Sequence, residues 1–196
     1  MSQPPETSAP SGLSYAYKAS LIGSAHRFEL RDDGLSWTIG SRSGIWRYAD
    51  VTAVRMSYRP TSMQPRRFRT EIDNRNGGRI AVMSATWQTA ALMVRQDPDY
   101  RAFIVELHRR VAAHGARPLL IGGLKPILYF AGLAVLAFLS VAMAGLMVRA
   151  LVTREWAAAL FIVGLSALFA WQIGGFMRRN QPRSYTFDAL PKDLLP

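Results

Sequence analysis

The residues of this chain whose type and spacing most clearly predict a chemistry are four arginines between positions 59 and 69: Arg59, Arg66, Arg67 and Arg69. A guanidinium is protonated at any physiological pH, and its fork of N–H donors matches phosphate and carboxylate oxygens. We therefore predict contact with an anion here, either the headgroups of anionic lipids or an acidic protein partner. The alternative is a solvated strand edge that is basic in order to discourage pairing with another strand.

The strands predicted around these arginines leave part of their charge unbalanced. Alternation of apolar and polar residues predicts two strands that flank the 60–66 connection. If the connection joins these strands as neighbours, Arg59 lies opposite Arg67, and opposed like charges destabilise a sheet. Arg55 would lie opposite Glu71 and form an ordinary cross-strand ion pair. The sequence thus predicts a cluster of cations without a local counter-charge.

No set of residues predicts catalysis or a resident cofactor. The chain has no cysteine, which excludes a thiol nucleophile and metal sites built on thiolates. It has no phosphate-binding loop, nucleophile elbow or zinc-protease motif, and His26, His108 and His114 are scattered. We therefore expect no catalytic, cofactor-binding or metal-binding residues, no cofactor, no small-molecule substrate and no enzyme activity.

Nucleic acid is the competing partner for a chain with a formal net charge of +11. Binding of single strands usually needs aromatic side chains on which bases can stack. Trp37 falls on the apolar face of a predicted strand, and the positions of Trp46 and Trp87 do not separate a stacking platform from core packing. We therefore expect no nucleic-acid partner.

Two uncharged apolar segments predict a transmembrane hairpin. Residues 126–148 and 156–177 are each long enough for a helix that crosses a bilayer, which needs about 20 residues. Residues 149–155 would form the external loop between them. Small residues recur at helical spacing on both segments and predict either the packing face of the two helices or a homo-oligomer seam; they are Ala137, Ser140, Ala144, Ser166, Ala170 and Gly174.

Basic residues predict how this hairpin is oriented. Four Lys or Arg residues precede it at 109–125 and four follow it at 178–192, whereas the loop carries only Arg149 and Arg154. By the positive-inside rule, both termini lie in the cytoplasm. The first residues lack the basic and apolar regions of a signal peptide. We predict a multi-pass inner-membrane protein whose candidate partners are membrane lipid, another protein and a second copy of the chain.

Residues 13–116 predict one folded cytoplasmic domain. Short stretches of alternating polarity, broken by turn residues, predict about seven antiparallel strands, with the clearest hairpins at 26–40 and 66–84. An amphipathic helix follows, with Asp97 as its predicted N-cap and Gly115 at its end. The stretch at 85–96 is predicted to be a connection with a helical turn.

The remaining segments are short. Residues 1–12 are rich in Pro and Ser and predict a disordered leader, and residues 117–125 predict a juxtamembrane linker. The segment at 178–196 predicts a cytoplasmic tail with scattered apolar residues. That tail would lie against the domain, occupy a groove on a partner, or be disordered.

The order of these elements resembles bacterial pleckstrin-homology-like (PH-like) domains, which are often found beside transmembrane helices. The residues that carry the resemblance are FELRDDGLSW at 28–37, IWRYADVTAV at 45–54 and DYRAFIVELHRRV at 99–111. The resemblance implies an α+β fold: a PH-like split β-barrel of about seven antiparallel strands with a C-terminal amphipathic helix, followed here by a two-helix transmembrane hairpin. Because that fold serves many unrelated binding roles, the resemblance informs architecture more than function.

These patterns together predict a non-catalytic, membrane-anchored binding or scaffolding module. Its PH-like domain would engage anionic lipid headgroups or a protein partner at the inner leaflet. The alternative is an accessory subunit of a membrane transport or envelope-biogenesis complex, in which the hairpin is the working part.

Overall fold

The chain is an α+β protein in which antiparallel strands and one amphipathic helix precede two long apolar helices. A computed structural model describes residues 12–89 and 92–196. All but the last residue of the leader predicted at 1–12 therefore lies outside the described residues.

The first sheet is a four-stranded antiparallel meander with the order β1-β2-β3-β4. Its inward side chains include Phe28 and Leu30, which are buried. The predicted hairpin at 26–40 is confirmed, and the Arg31 N–H donates to the Gly34 carbonyl at 2.9 Å to close its turn. The strands are β1 (Leu13–Tyr17), β2 (His26–Leu30), β3 (Leu35–Ile39) and β4 (Arg42–Trp46).

The second sheet is built on a three-stranded antiparallel meander that contains the predicted hairpin at 66–84. Every second residue of its middle strand is buried, as the alternating sequence requires. The turn places Gly77 at φ +79°, a conformation that favours glycine. The strands of this meander are β5 (Val51–Tyr58), β6 (Phe68–Asn74) and β7 (Arg79–Met83).

The stretch at 85–96 differs from its prediction as a connection. It forms a two-stranded antiparallel sheet of β8 (Ala85–Thr89) and β9 (Leu92–Arg95). Both strands are too short to show a clear period, and they are stabilised through the burial of Ala85 and Met93. The sheets of the described residues remain three separate sheets, and none of them closes into a barrel.

Helix α1 (Asp97–Ala113) buries the stripe predicted for it. Gly115 ends it with a φ of +69°, as its position predicts. The predicted cap is wrong, because Gln96 occupies the N-cap position and the Asp97 carboxylate pairs with Arg95 instead. The buried stripe consists of Tyr100, Phe103, Ile104, Leu107 and Val111.

The C-terminal tail belongs to the folded domain. The first of two compact units runs to Ile121 and includes Ser184–Pro196, and the second unit is Gly122–Arg183. Leu194 is fully buried in the core of the first unit and Leu195 is 6% exposed. Of the three fates predicted for the tail, the structure shows the one in which it lies against the domain.

Two strands that flank the apolar helices extend the second sheet. They are β10 (Leu119–Gly122) and β11 (Arg183–Ser184), and the strand order is β11-β10-β5-β6-β7. Part of the segment predicted as a linker is therefore a strand. A domain cut at residue 116 would lack both strands and the buried tail.

The second unit contains two helices that are long and apolar enough to cross a membrane. They are α2 (Pro126–Val152) and α3 (Trp156–Arg179), and each extends beyond the segment predicted from the sequence. Small side chains bring the helices together near the connecting loop, where Ala150 and Ala159 are buried.

Candidate anion-binding site

Strands β5 and β6 place three of the four predicted arginines together at one end of the sheet. The Arg59 N–H donates to the Arg67 carbonyl at 2.8 Å, and Ser57 lies opposite Arg69. Both pairings confirm the predicted register. Because side chains alternate along a strand, Arg59, Arg67 and Arg69 share the outer face of the sheet. Arg66 is exposed in the preceding connection.

The charge pairing on this face differs from the prediction in two respects. Glu71 lies opposite Arg55 in the register, but its carboxylate binds Arg69 at 2.7 Å. Arg55 forms its ion pair with Asp73 instead, and Asp73 forms a second ion pair with Arg79 at 2.5 Å. Arg69 therefore has a counter-charge that the sequence analysis did not assign to it. Arg69 and Glu71 lie two residues apart on one face of β6, and the long Arg55 side chain reaches its diagonal neighbour Asp73.

Asp73 is held as a carboxylate by these two arginines. Burial acts to raise the pKa of Asp73, but the hydrogen bonds from Arg79 and Arg55 outweigh it and lower the pKa below its usual range. Two arginines share one carboxylate here, so this end keeps a single excess positive charge. At the other end, Arg59 and Arg67 form no ion pair within the described residues, so neither of their charges is offset.

The three clustered guanidiniums contain donors that lack acceptors. Within residues 12–89 and 92–196, the Nε atoms of Arg59, Arg67 and Arg69 are buried and have no hydrogen-bond partner. Such a donor loses its hydrogen bonds to water on folding and gains none in the protein, which lowers the free energy of unfolding by about 1–3 kcal/mol. We therefore expect these unpaired donors to lower the stability of the unliganded domain.

Arg67 occupies the least favourable position of the cluster. It is half-buried, and one of its terminal nitrogens contacts the sulfur of Met83, a weak acceptor. Burial lowers the pKa of Arg67, with a further contribution from the charge of Arg69. A negatively charged group beside Arg67 would offset the repulsion from Arg69 and stabilise the charged guanidinium.

Tyr17 adds a hydroxyl next to this cluster, and the sequence analysis missed it. Its O–H donates to the Ala81 carbonyl at 2.7 Å, at the edge of β7. Burial raises the pKa of Tyr17 to about 12, while the charges of Arg69 and Arg67 act in the opposite direction. Tyr17 occupies an inward position of β1, so nothing in the local sequence separates it from a core residue.

The small residues predicted on the hairpin do not form the buried contact between its helices. All six of them are exposed. Five line an open, largely apolar cleft of about 700 Å³ along α2 and α3; they are Ser140, Ala144, Ser166, Ala170 and Gly174. Ala137 does not line it. The Ser140 hydroxyl donates to the Leu136 carbonyl of its own helix at 2.9 Å.

The three histidines have separate structural roles. His26 contacts the Tyr17 hydroxyl at 3.2 Å and His114 contacts the Arg110 carbonyl at 2.8 Å. His108 lies between the Ile104 carbonyl and the Tyr185 hydroxyl. Within the part of the chain that the structure describes, no group of three His, Asp or Glu residues could hold a metal ion.

Comparisons of the chain with protein-family models, with curated proteins and with solved structures find no match. The functional proposal below therefore rests on the geometry of the site.

Proposed function

We propose that the chain is a membrane-anchored, non-catalytic binding module whose folded domain engages anionic lipid headgroups at the inner leaflet. The contact residues are Arg59, Arg66, Arg67 and Arg69. The observation that carries the proposal is the set of three buried Nε donors without acceptors on one sheet face. Headgroup phosphates would supply the missing negative charge, and hydrogen bonds between charged groups are about twice as strong as neutral ones.

The position of the domain in the chain supports a lipid ligand. Only Gly123–Lys125 separate β10 from α2, so in a membrane the domain would be tethered close to the headgroups. A tether of this kind keeps the effective headgroup concentration high. Contacts worth about 1 kcal/mol for each basic side chain would then be enough to keep the domain bound to the headgroups.

The packing of the tail supports a hairpin with both termini on one side. The tail follows α3 but shares a hydrophobic core with the segment before α2. Two crossings return the chain to the side from which it started. The excess of basic residues outside the hairpin favours the cytoplasmic side, and hence an inner-membrane location.

A PH-like architecture is part of the proposal. The four-stranded meander of β1 to β4, the three-stranded meander of β5 to β7 and the following helix α1 support it. The two-stranded sheet and the added strands β10 and β11 are departures from that plan.

Hydrogen–deuterium exchange on the full chain in nanodiscs tests the proposal. We expect slower exchange of residues 57–69 in discs that contain phosphatidylglycerol than in discs of phosphatidylcholine alone. The Arg59→Gln/Arg67→Gln variant should lose most of this difference. The loss of two contacts amounts to about 2 kcal/mol, or roughly 30-fold in lipid affinity.

The matched control removes the same charge elsewhere. Arg42 and Arg47 are exposed outside the cluster, so Arg42→Gln/Arg47→Gln should retain the lipid-dependent protection. If both double variants behave like the wild type, the arginine cluster does not bind lipid.

The cleft along α2 and α3 favours a second candidate function, an accessory subunit of a membrane complex. The exposed small side chains that line it would allow a helix of another protein to approach closely. Affinity purification in mild detergent tests this candidate, which requires a stoichiometric polytopic partner.

A further inference from the structure

The loop between β1 and β2 exposes two large apolar side chains. Residues 18–25 read KASLIGSA. Ile22 is 93% exposed and Leu21 is 46% exposed. A single exposed Leu is ordinary on a protein surface, but Ile22 stands almost wholly in solvent next to a second large apolar residue.

The loop has a defined conformation that holds Ile22 outward. The Ser20 hydroxyl donates to the Ile22 carbonyl at 2.5 Å, and Gly23 has a φ of +134°, which few other residues adopt. At its base, the Lys18 N–H donates to the Thr86 hydroxyl at 2.9 Å, and the Trp87 N–H donates to the Lys18 carbonyl at 3.2 Å.

The charged residues of the loop and of the first residues after it are basic. No Asp or Glu occurs from Lys18 to Arg27, and both of these basic residues are exposed. The loop begins one residue after Tyr17, whose hydroxyl donates to the Ala81 carbonyl of β7, the strand that pairs with the one carrying Arg69. Apolar residues flanked by cations are typical of protein surfaces that enter the interface of an anionic membrane.

We propose that residues 18–25 form a bilayer-insertion loop. Leu21 and Ile22 enter the boundary between headgroups and acyl chains, while Lys18 and Arg27 remain at the level of the headgroup phosphates. This inference rests on the proposed function and adds a second, apolar contact to it. The occupant of the surface is the lipid bilayer, because an acidic protein would complement the cations but would leave Ile22 in water.

A fluorophore on the loop tests the inference directly. Because the chain has no cysteine, Ile22→Cys accepts a single environment-sensitive NBD label in the full chain. In nanodiscs with phosphatidylglycerol, we expect its emission to shift to the blue and to be quenched by lipids spin-labelled near the top of the acyl chain. The same label at Asp33→Cys should show neither effect, since Asp33 is exposed beyond the opposite end of β2.

An unlabelled variant guards against an effect of the fluorophore itself. Ile22→Asp should reduce the phosphatidylglycerol-dependent protection of residues 57–69, whereas Ile45→Asp, at another exposed isoleucine, should not. If the label at position 22 stays in an aqueous environment while residues 57–69 still respond to lipid, the loop inference is wrong and the proposed function stands. If neither responds, both are wrong.

Discussion

Arg67 shows most clearly how a single residue can be unfavourable for folding and useful for binding. It lies opposite Arg59 and its Nε atom, like that of Arg59, is buried without an acceptor in the described residues. A residue retained only for stability would be better replaced by an apolar side chain of similar length. Substitutions in the cluster should therefore raise the stability of the domain while they weaken its binding, and both effects can be measured.

Replacing Arg67 with Met should stabilise the domain. The change removes an opposed cation and an unpaired donor and retains the unbranched stem, so we expect a gain of about 1–3 kcal/mol in the free energy of unfolding. Thermal unfolding of the full chain in detergent micelles measures it. Arg42→Met, at an exposed position outside the cluster, should give no gain. A loss of stability in Arg67→Met would show that Arg67 is a structural residue.

His108 makes the stability of the domain depend on pH. It lies on α1 and is buried against the tail. Burial lowers the pKa of His108, and its hydrogen bond to the Ile104 carbonyl acts in the opposite direction. Below the unfolded value of about 6.5, the unfolded chain binds a proton that the folded chain resists. The contribution of neutral His108 to the free energy of unfolding should therefore be fully present above that pH. It should decline as the pH falls toward the lower pKa of His108 in the folded state.

Thermal unfolding between pH 8 and 5 checks this dependence. The His108→Gln variant should be less stable at neutral pH and should show a shallower decline toward pH 5. His26, whose pKa burial also lowers, contributes in the same direction. The exposed His114 provides the control substitution, His114→Gln. An unchanged slope in His108→Gln would contradict the assignment.

Among the elements, the tail is joined to the domain by a buried side chain and by hydrogen bonds. Leu194 is fully buried, the Tyr185 hydroxyl lies 2.9 Å from the His108 Nε2 atom, and Arg101 donates to the Pro196 carbonyl at 3.0 Å. These contacts join the last residues of the chain to α1. The tail is thus a structural part of the domain, and we expect its removal to destabilise the domain.

Shortening Leu194 should destabilise the domain strongly. Truncation of a fully buried Leu to Ala costs about 2–5 kcal/mol, and we expect Leu194→Ala to fall in that range. Lys192→Ala, at an exposed position two residues away, should have little effect. Chemical denaturation of the full chain measures both. Equal stabilities for these variants would mean that the tail does not contribute to the core.

Elements with a strong period of their own could be predicted, and those defined by distant contacts could not. The stripe of α1 and the hairpins at 26–40 and 66–84 follow from local spacing and turn residues. β10 and β11 are short, and β11 joins the sheet beside a strand that precedes both apolar helices. The arginine register was predictable from alternation, whereas the Arg69–Glu71 and Arg55–Asp73 pairs depend on side-chain reach.

For the whole molecule, the shared core of the tail and the domain constrains how the chain would cross a membrane. We expect a cysteine at Asp33 and one at Lys192 to react with an impermeant maleimide from the same side of sealed membrane vesicles. A cysteine at Glu155, in the exposed loop between α2 and α3, should react from the opposite side. Labelling of Asp33→Cys and Lys192→Cys from different sides would contradict a two-helix crossing.

Lipid binding to the arginine cluster should stabilise the folded domain. A ligand that binds only the folded state raises the unfolding temperature, so the full chain should unfold at a higher temperature in nanodiscs with phosphatidylglycerol than in phosphatidylcholine alone. The most direct measurement compares this lipid-dependent shift in wild type and in Arg59→Gln/Arg67→Gln. We expect the shift to be largely lost in the variant, and a shift of equal size in both proteins would contradict lipid binding at the cluster.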